Sequence, residues 1–241
     1  MVSVMGKRGL FLVWLCLVNI LPGMAQTEKL IDYVNSFVGT DGYGNVYPGA
    51  QIPFGGIQMS PDTDSKYYDA ASGYKYNHST LLGFSLTHLS GTGIPDLGDF
   101  LFIPGTGEMK LDPGTREEPE KGYRSRYSHE KEWASPNYYA VELSDYGVKA
   151  EMTSGVRSGM FRFTYPQSDK AFIMIDMNHT LWQSCEWANL RMENDSTITG
   201  YKLVKGWGPI SAPAGLPLPH RTGIRQRPRL RTFRRRNQLT G

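Results

Sequence analysis

Glycines and short polar side chains are concentrated in residues 39–104, and they give this stretch the most evident potential for chemistry. Glycines permit backbone conformations that are closed to other residues and let a ligand approach the main chain. Hydrogen-bonding groups beside aromatic faces suit a sugar, which has hydroxyls around its rim and an apolar C–H face. The glycines are Gly39, Gly42, Gly44, Gly49, Gly91 and Gly93; the polar residues are Asp41, Asn45, His88, Asp96 and Asp99; the tyrosines are Tyr67, Tyr68, Tyr74 and Tyr76.

A structural interpretation of the same residues remains open, in which the tyrosines are core and edge residues and the glycines form turns.

The sequence motifs of other kinds of site are absent. Gly42-Tyr43-Gly44 has no third glycine of a dinucleotide fingerprint, and there is no P-loop, EF-hand loop or Gly-x-Ser-x-Gly elbow. His78 and His88 have no third nitrogen or sulfur ligand for zinc, so the sequence predicts no metal site.

Short strand-like runs separated by turn signals must position these residues. Many of the runs alternate; in Met160–Tyr165, for example, the side chains at 161, 163 and 165 share one face. Because no convincing amphipathic helix lies between the runs, the pattern predicts an all-β fold, an antiparallel β-sandwich. The runs are 81–89, 99–103, 138–144, 148–153, 159–165, 171–176 and 198–204; residues 112–136 are predicted to be a solvated polar excursion.

The net charge of +3 over 241 residues is an average over two different regions. Residues 208–241 hold eight arginines and no lysine, aspartate or glutamate, so the preceding chain is net negative. Clustered arginine can neutralise phosphate, which makes a nucleic-acid-binding arm one interpretation. We favour another, in which 208–241 is translated out of frame, is disordered and binds no nucleic acid, because a natural basic arm would normally mix lysine with arginine.

The first 25 residues have the pattern of a secretory signal peptide. Lys7 and Arg8 precede an uncharged run of about 13 residues, which is shorter than the roughly 20 residues that a membrane-spanning helix needs. Small residues then stand before Gln26. We therefore expect a secreted or periplasmic protein, without membrane association after cleavage, whose folded domain covers 26–207.

A series of short motifs runs in order over about 30–207, and its most specific block is Thr-His-Leu-Ser-Gly-Thr-Gly at 87–93. The other motifs are Phe37-Val38-Gly39-Thr40, Tyr47-Pro48-Gly49-Ala50, Pro53-Phe54-Gly55, Asp96-Leu97-Gly98-Asp99, Ile198-Thr199-Gly200-Tyr201 and Lys205-Gly206-Trp207. Together they resemble the motifs of glycoside hydrolase family 92, whose members are secreted exo-acting α-mannosidases.

This resemblance implies an N-terminal, supersandwich-like domain that packs against a larger (α/α)6 barrel in full-length members. It implies calcium-dependent hydrolysis of mannosides with inversion, and it places both catalytic carboxylates and the calcium ligands on the barrel. Because the barrel is not in this sequence, we assign no catalytic residue and no metal ligand here, and we expect an N-terminal fragment that is inactive alone. A stand-alone, secreted carbohydrate-binding module is the alternative.

Positions matching the family motifs suggest which residues line a pocket for a mannose-containing glycan. They are Gly42, Gly44, Tyr68, Asp69 and His88, with Asp96 and Asp99 as supporting polar groups. Many relatives have Trp-Asp where this chain has Tyr68-Asp69. Tyrosine keeps a stacking face but shrinks it, so the subsite for the leaving group need not be the same.

Overall fold

The computed structural model describes residues 29–66 and 68–205 together with the backbone of 220–226. The chain divides into two units after Tyr33. Of the first unit, the structure describes only Lys29–Tyr33, which contain a 3₁₀ helix, Leu30–Tyr33. The predicted signal peptide, 1–25, lies outside the described residues.

The second unit is built almost entirely of strands, and the described ranges contain no α-helix. Three further 3₁₀ helices span Tyr68–Ala70, Pro119–Lys121 and His129–Lys131. In chain order the strands are β1 (Ser60–Asp62), β2 (Thr80–Leu81), β3 (Gly83–Ser85), β4 (Leu101–Thr106), β5 (Ser125–Arg126), β6 (Glu132–Ser135), β7 (Tyr138–Leu143), β8 (Val148–Ser154), β9 (Gly159–Thr164), β10 (Ala171–Asp176), β11 (Ser184–Asn194), β12 (Thr197–Lys205) and β13 (His220–Gln226). No helix in the described part of the chain is long and apolar enough to cross a membrane.

Two four-stranded antiparallel sheets form the sandwich. One has the strand order β1-β3-β4-β10 and the other β6-β7-β8-β9. The rings of Phe84 and Phe163 lie 6.2 Å apart between the sheets, and those of Phe102 and Phe161 lie 5.1 Å apart. The predicted β-sandwich is therefore confirmed, and the alternation at 161 and 163 correctly marked the face of β9 that packs against the other sheet.

A third sheet, β11-β12-β13, is also antiparallel. Along β12 the buried residues alternate at Gly200, Lys202 and Val204. Strand β11 was not predicted, because most of its side chains are exposed and it has no apolar alternation. Strand β13 pairs with β12. This pairing satisfies main-chain groups of β12 that would stay unpaired if β12 were at the edge of the sheet.

The boundary at 207 and the out-of-frame origin of 208–241 stay predictions. The backbone at 220–226 forms a strand, so the expectation of a disordered tail does not describe these seven residues. The rest of the tail lies outside the described residues.

Residues 112–136 are not simply a solvated excursion. Tyr123, Arg124 and Tyr127 are buried, and β5 pairs with β2. The Arg124 guanidinium donates to the main-chain oxygen of Thr63 at 2.6 Å. The polar composition of residues 112–136 suggested that they are exposed. The sequence does not reveal that the Arg124 guanidinium is buried and bonded to a main-chain oxygen.

Candidate functional site

Three segments that carry predicted site residues converge on one surface, which we call the loop face (residues 40–47, 68–70 and 90–93). The Lys75 ammonium donates to the main-chain oxygen of Gly42 and lies 3.8 Å from Asp41 Oδ1. The main-chain N–H of Gly91 donates to the oxygen of Asn45 at 2.7 Å. These contacts tie the 40–47 segment to the other loops, and Lys75 was not predicted to have this role.

Tyr68 and Gly42 are exposed on the loop face, as is Gly44. Tyr68 is the first residue of the short 3₁₀ helix Tyr68–Ala70, and it is 53% exposed. A Cβ atom on Gly93 would lie 3.2 Å from the Tyr68 hydroxyl and 3.3 Å from the amide nitrogen of Asn45. The lack of a side chain at Gly93 thus lets a ring, an amide and exposed main chain share one surface.

Asp69 stands beside a buried histidine. Its Oδ2 lies 3.9 Å from Nε2 of His78, which also accepts from the Arg116 guanidinium at 2.5 Å. Burial lowers the pKa of His78, and the positive charge of Arg116 lowers it further. Because the guanidinium can only donate, His78 is held as a neutral ring whose Nδ1–H donates to Thr63 Oγ1 at 2.9 Å.

The tyrosines of the glycine-rich stretch have different roles. Tyr74 is buried, and its hydroxyl donates to Glu132 Oε1 at 2.9 Å, so the structural interpretation applies to it. Tyr76 is partly exposed and stacks on His129 with ring centroids 4.0 Å apart. Tyr67 lies outside the described residues.

His88 lies beneath the loops with its side chain fully buried. Its Nε2 donates to Asp62 Oδ1 at 2.8 Å, and Nδ1 lies 2.7 Å from the main-chain oxygen of Gln58. His179 donates to the other oxygen of the same carboxylate, Oδ2, at 2.7 Å. Asp62 therefore bonds to a histidine 117 positions further along the chain, and the sequence carried no signal for His179.

Asp62 has a strongly perturbed carboxyl group. Burial alone would raise its pKa, but the charge of His88 and the hydrogen bonds from His179 and His88 hold the pKa well below its usual range. The carboxylate is thus ionised within the domain and compensated on both oxygens. Such a group positions the loops above it and is not exposed to a ligand.

Asp96 and Asp99 occupy different depths. Asp96 is partly exposed, and its Oδ1 accepts from the N–H of Leu97 at 2.8 Å. Asp99 is buried, lies 3.1 Å from the Lys202 ammonium and accepts from Thr87 Oγ1 at 3.0 Å. The structure therefore brings Gly42, Gly44 and Tyr68 together at the surface, while His88 and Asp99 lie below it. That all seven residues line a sugar pocket stays a prediction.

Within 29–66 and 68–205, no group of three or more histidine, cysteine, aspartate or glutamate residues is placed to hold a metal ion. The polar residues at the loop face do not fit a calcium site of the kind the resemblance implies, since that ion takes six to eight oxygen ligands.

Comparison with known proteins identifies the family. The model of the glycosyl hydrolase family 92 N-terminal domain matches residues 33–216. The chain is 90% identical to a family GH92 α-mannosidase from Bacteroides thetaiotaomicron, with a TM-score of 0.75, and the match covers 76% of this chain and 25% of that one. A second structure of that α-mannosidase, also at 90% identity and a TM-score of 0.75, is a complex with mannoimidazole; the match covers 76% of this chain and 24% of that one.

A more distant relative is an uncharacterized secreted glycosidase of Arthroderma benhamiae. It is 30% identical over 147 residues, which are 60% of this chain and 19% of the relative. The chain thus spans about a quarter or less of the length of these relatives. The resemblance found in the sequence is confirmed, and the chain belongs to glycoside hydrolase family 92, as its N-terminal β-sandwich domain.

Proposed function

We propose that this chain serves as the N-terminal sandwich of a secreted or periplasmic exo-α-mannosidase, and that its loop face forms part of the pocket for a mannose-containing glycan. The observation that carries the proposal is the convergence of Tyr68, Asn45 and the Gly42–Gly44 main chain on one exposed surface. Its support is the 90% identity to a GH92 α-mannosidase that has been solved with mannoimidazole.

Each predicted site residue has a distinct part in this proposal. The Tyr68 ring stacks against the C–H face of the sugar, while the Asp69 carboxylate accepts hydrogen bonds from its hydroxyls. Gly42 and Gly44 let the sugar approach the main chain. Asp96 supports the loop through Leu97, and the buried His88 and Asp99 hold the segments beneath.

The chemical step in this proposal belongs to a second domain. Inversion needs an acid to protonate the leaving oxygen and a base to activate water, with the two carboxyl groups about 6.5–9.5 Å apart. We assign both carboxylates and any calcium to that domain, as the resemblance to the family implies. The sandwich contributes by binding and orienting the sugar, and we expect the 241-residue chain to hydrolyse no mannoside alone.

Calorimetric titration of the full chain with methyl α-mannoside tests the binding role. We expect millimolar binding, and Tyr68→Ala lowers the affinity by roughly tenfold, about 1.4 kcal/mol, because the stacking face is lost. Trp133→Ala is the matched control, since Trp133 is an exposed aromatic residue of β6, away from the predicted site residues in sequence. Equal affinities of wild type and Tyr68→Ala would contradict the proposal, and hydrolysis of the mannoside would contradict the assignment of the carboxylates.

A further inference from the structure

A cavity of about 400 Å³ opens beside the turn that follows β10. Small-molecule sites in proteins typically occupy about 300–1,000 Å³, so it has room for a sugar residue. The cavity shares no lining residue with the loop face. Its lining includes Lys66, Tyr123, Asp176, Asn178, Trp182 and Gln183.

Trp182 is held at the cavity in a conformation that bulky residues rarely adopt. Its φ is 69°, in the left-handed region, and its side chain is 48% exposed. The N–H of Trp182 donates to the Ser65 oxygen at 2.8 Å, and the preceding Leu181 is buried with its N–H bonded to Leu97. The neighbouring residues thus hold the main chain of an exposed aromatic residue in the left-handed region, which is the kind of local strain that clusters at ligand sites.

The turn below Trp182 is anchored to the buried network. His179 donates to Asp62, and the Thr180 hydroxyl donates to the main-chain oxygen of Gln183 at 2.6 Å. Gln183 in turn donates through Nε2 to the oxygen of Pro95 at 3.1 Å, which leaves its Oε1 as an acceptor. The main chain that carries the indole is therefore held in place, which lowers the cost of ordering this turn when a ligand binds.

Hydrogen-bonding groups line the cavity beside the indole. Among the described residues, no hydrogen bond or ion pair engages the Asn178 side-chain amide or the Lys66 ammonium. Asp176 is fixed by the Tyr123 hydroxyl at 3.0 Å and by the N–H of Asn178 at 2.8 Å. The Lys66 ammonium and the Asp176 carboxylate carry opposite charges, which favours a neutral ligand with several hydroxyls.

We propose that this cavity binds a neutral sugar residue of a glycan, with the Trp182 indole against the C–H face of the sugar. Asn178 and Lys66 donate to its hydroxyls, and Asp176 and Gln183 accept from them. An apolar face beside a rim of donors and acceptors is the surface that a hexose presents. This site goes beyond the proposed function of the loop face and does not depend on it.

The test is a titration of the full chain, labelled with ¹⁵N, with an α-linked mannobiose, observed through the tryptophan indole N–H resonances. We expect millimolar mannobiose to shift the Trp182 resonance, which is assigned by its absence from Trp182→Phe. Trp182→Ala and Asn178→Ala should each weaken by about tenfold the binding that the main-chain amide resonances of the remaining cavity residues report. Asn178 is exposed, so its variant tests the site even if Trp182→Ala does not fold.

Two control variants separate this site from the loop face. Trp133→Ala removes another exposed tryptophan and should leave the titration unchanged. Binding that survives Tyr68→Ala but is lost in Asn178→Ala supports the cavity. Binding that is lost only in Tyr68→Ala overturns the cavity site and leaves the proposed function standing. The absence of any shift in the Trp182 resonance at millimolar mannobiose also overturns the cavity site.

Discussion

At the scale of single residues, Asp62 is the most demanding group in the domain, because its fully buried carboxylate receives hydrogen bonds from two histidines. Asp62→Asn leaves only one acceptor oxygen and turns an amide donor towards a histidine N–H. We expect the free energy of unfolding to fall by about 3–5 kcal/mol, as when one partner of a buried pair is removed. Urea unfolding at neutral pH measures the change, with the exposed Asp169→Asn as control.

The same carboxylate gives the stability a predicted pH dependence. Because the pKa of Asp62 is lower in the folded chain than its ordinary value of 3.8, ionised Asp62 stabilises the fold above that pH. This contribution is lost as the pH falls further, towards the lowered pKa of the folded state. The stability of Asp62→Asn should therefore fall less between pH 4 and more acidic conditions (about pH 2) than that of the wild type. Parallel acid profiles would refute this account of Asp62.

At the scale of elements, the 40–47 loop depends on Gly44 for close packing. A Cβ atom there would lie 2.2 Å from the main-chain oxygen of Gly39, which accepts from the N–H of Val46 at 3.2 Å. Gly44→Ala should therefore cost about 1–3 kcal/mol and speed hydrogen exchange at the Val46 amide. Gly42→Asn is the control, because the side chain at 42 meets open space and asparagine tolerates its φ of 57°. Equal rates of hydrogen exchange at the Val46 amide in both variants would show that a Cβ atom at position 44 does not disturb the loop.

At the scale of the whole molecule, stability depends on the packing between the two four-stranded sheets. Phe84 of β3 is completely buried and contacts the rings of Phe161 and Phe163 of β9. Phe84→Ala should lower the free energy of unfolding by about 3–5 kcal/mol, because it removes a core ring and leaves a cavity. Phe54→Ala, at a completely exposed phenylalanine, should leave the unfolding midpoint nearly unchanged. A loss below about 1 kcal/mol for Phe84→Ala would mean that the core closes around the gap.

Much of this architecture could be predicted from the sequence alone. The period of two at 159–165 identified β9 and its inward face, because alternation is a property of consecutive residues. The Thr-His-Leu-Ser-Gly-Thr-Gly block at 87–93 identified the family, and the glycines marked loops that the structure brings together. These signals come from residues that are close in sequence, so they can be recognised without knowledge of the fold.

Depth and long-range contact were decided by the tertiary structure. His88 and Tyr68 were equal candidates in the sequence, yet the His88 side chain is buried and that of Tyr68 is exposed. The pairing of Asp62 with His179 and of Asp99 with Lys202 arises only when distant segments of the chain come together in the fold. A polar residue type does not reveal whether its partner is water or a charge more than a hundred residues away. That choice is made by desolvation and packing, which depend on the complete fold.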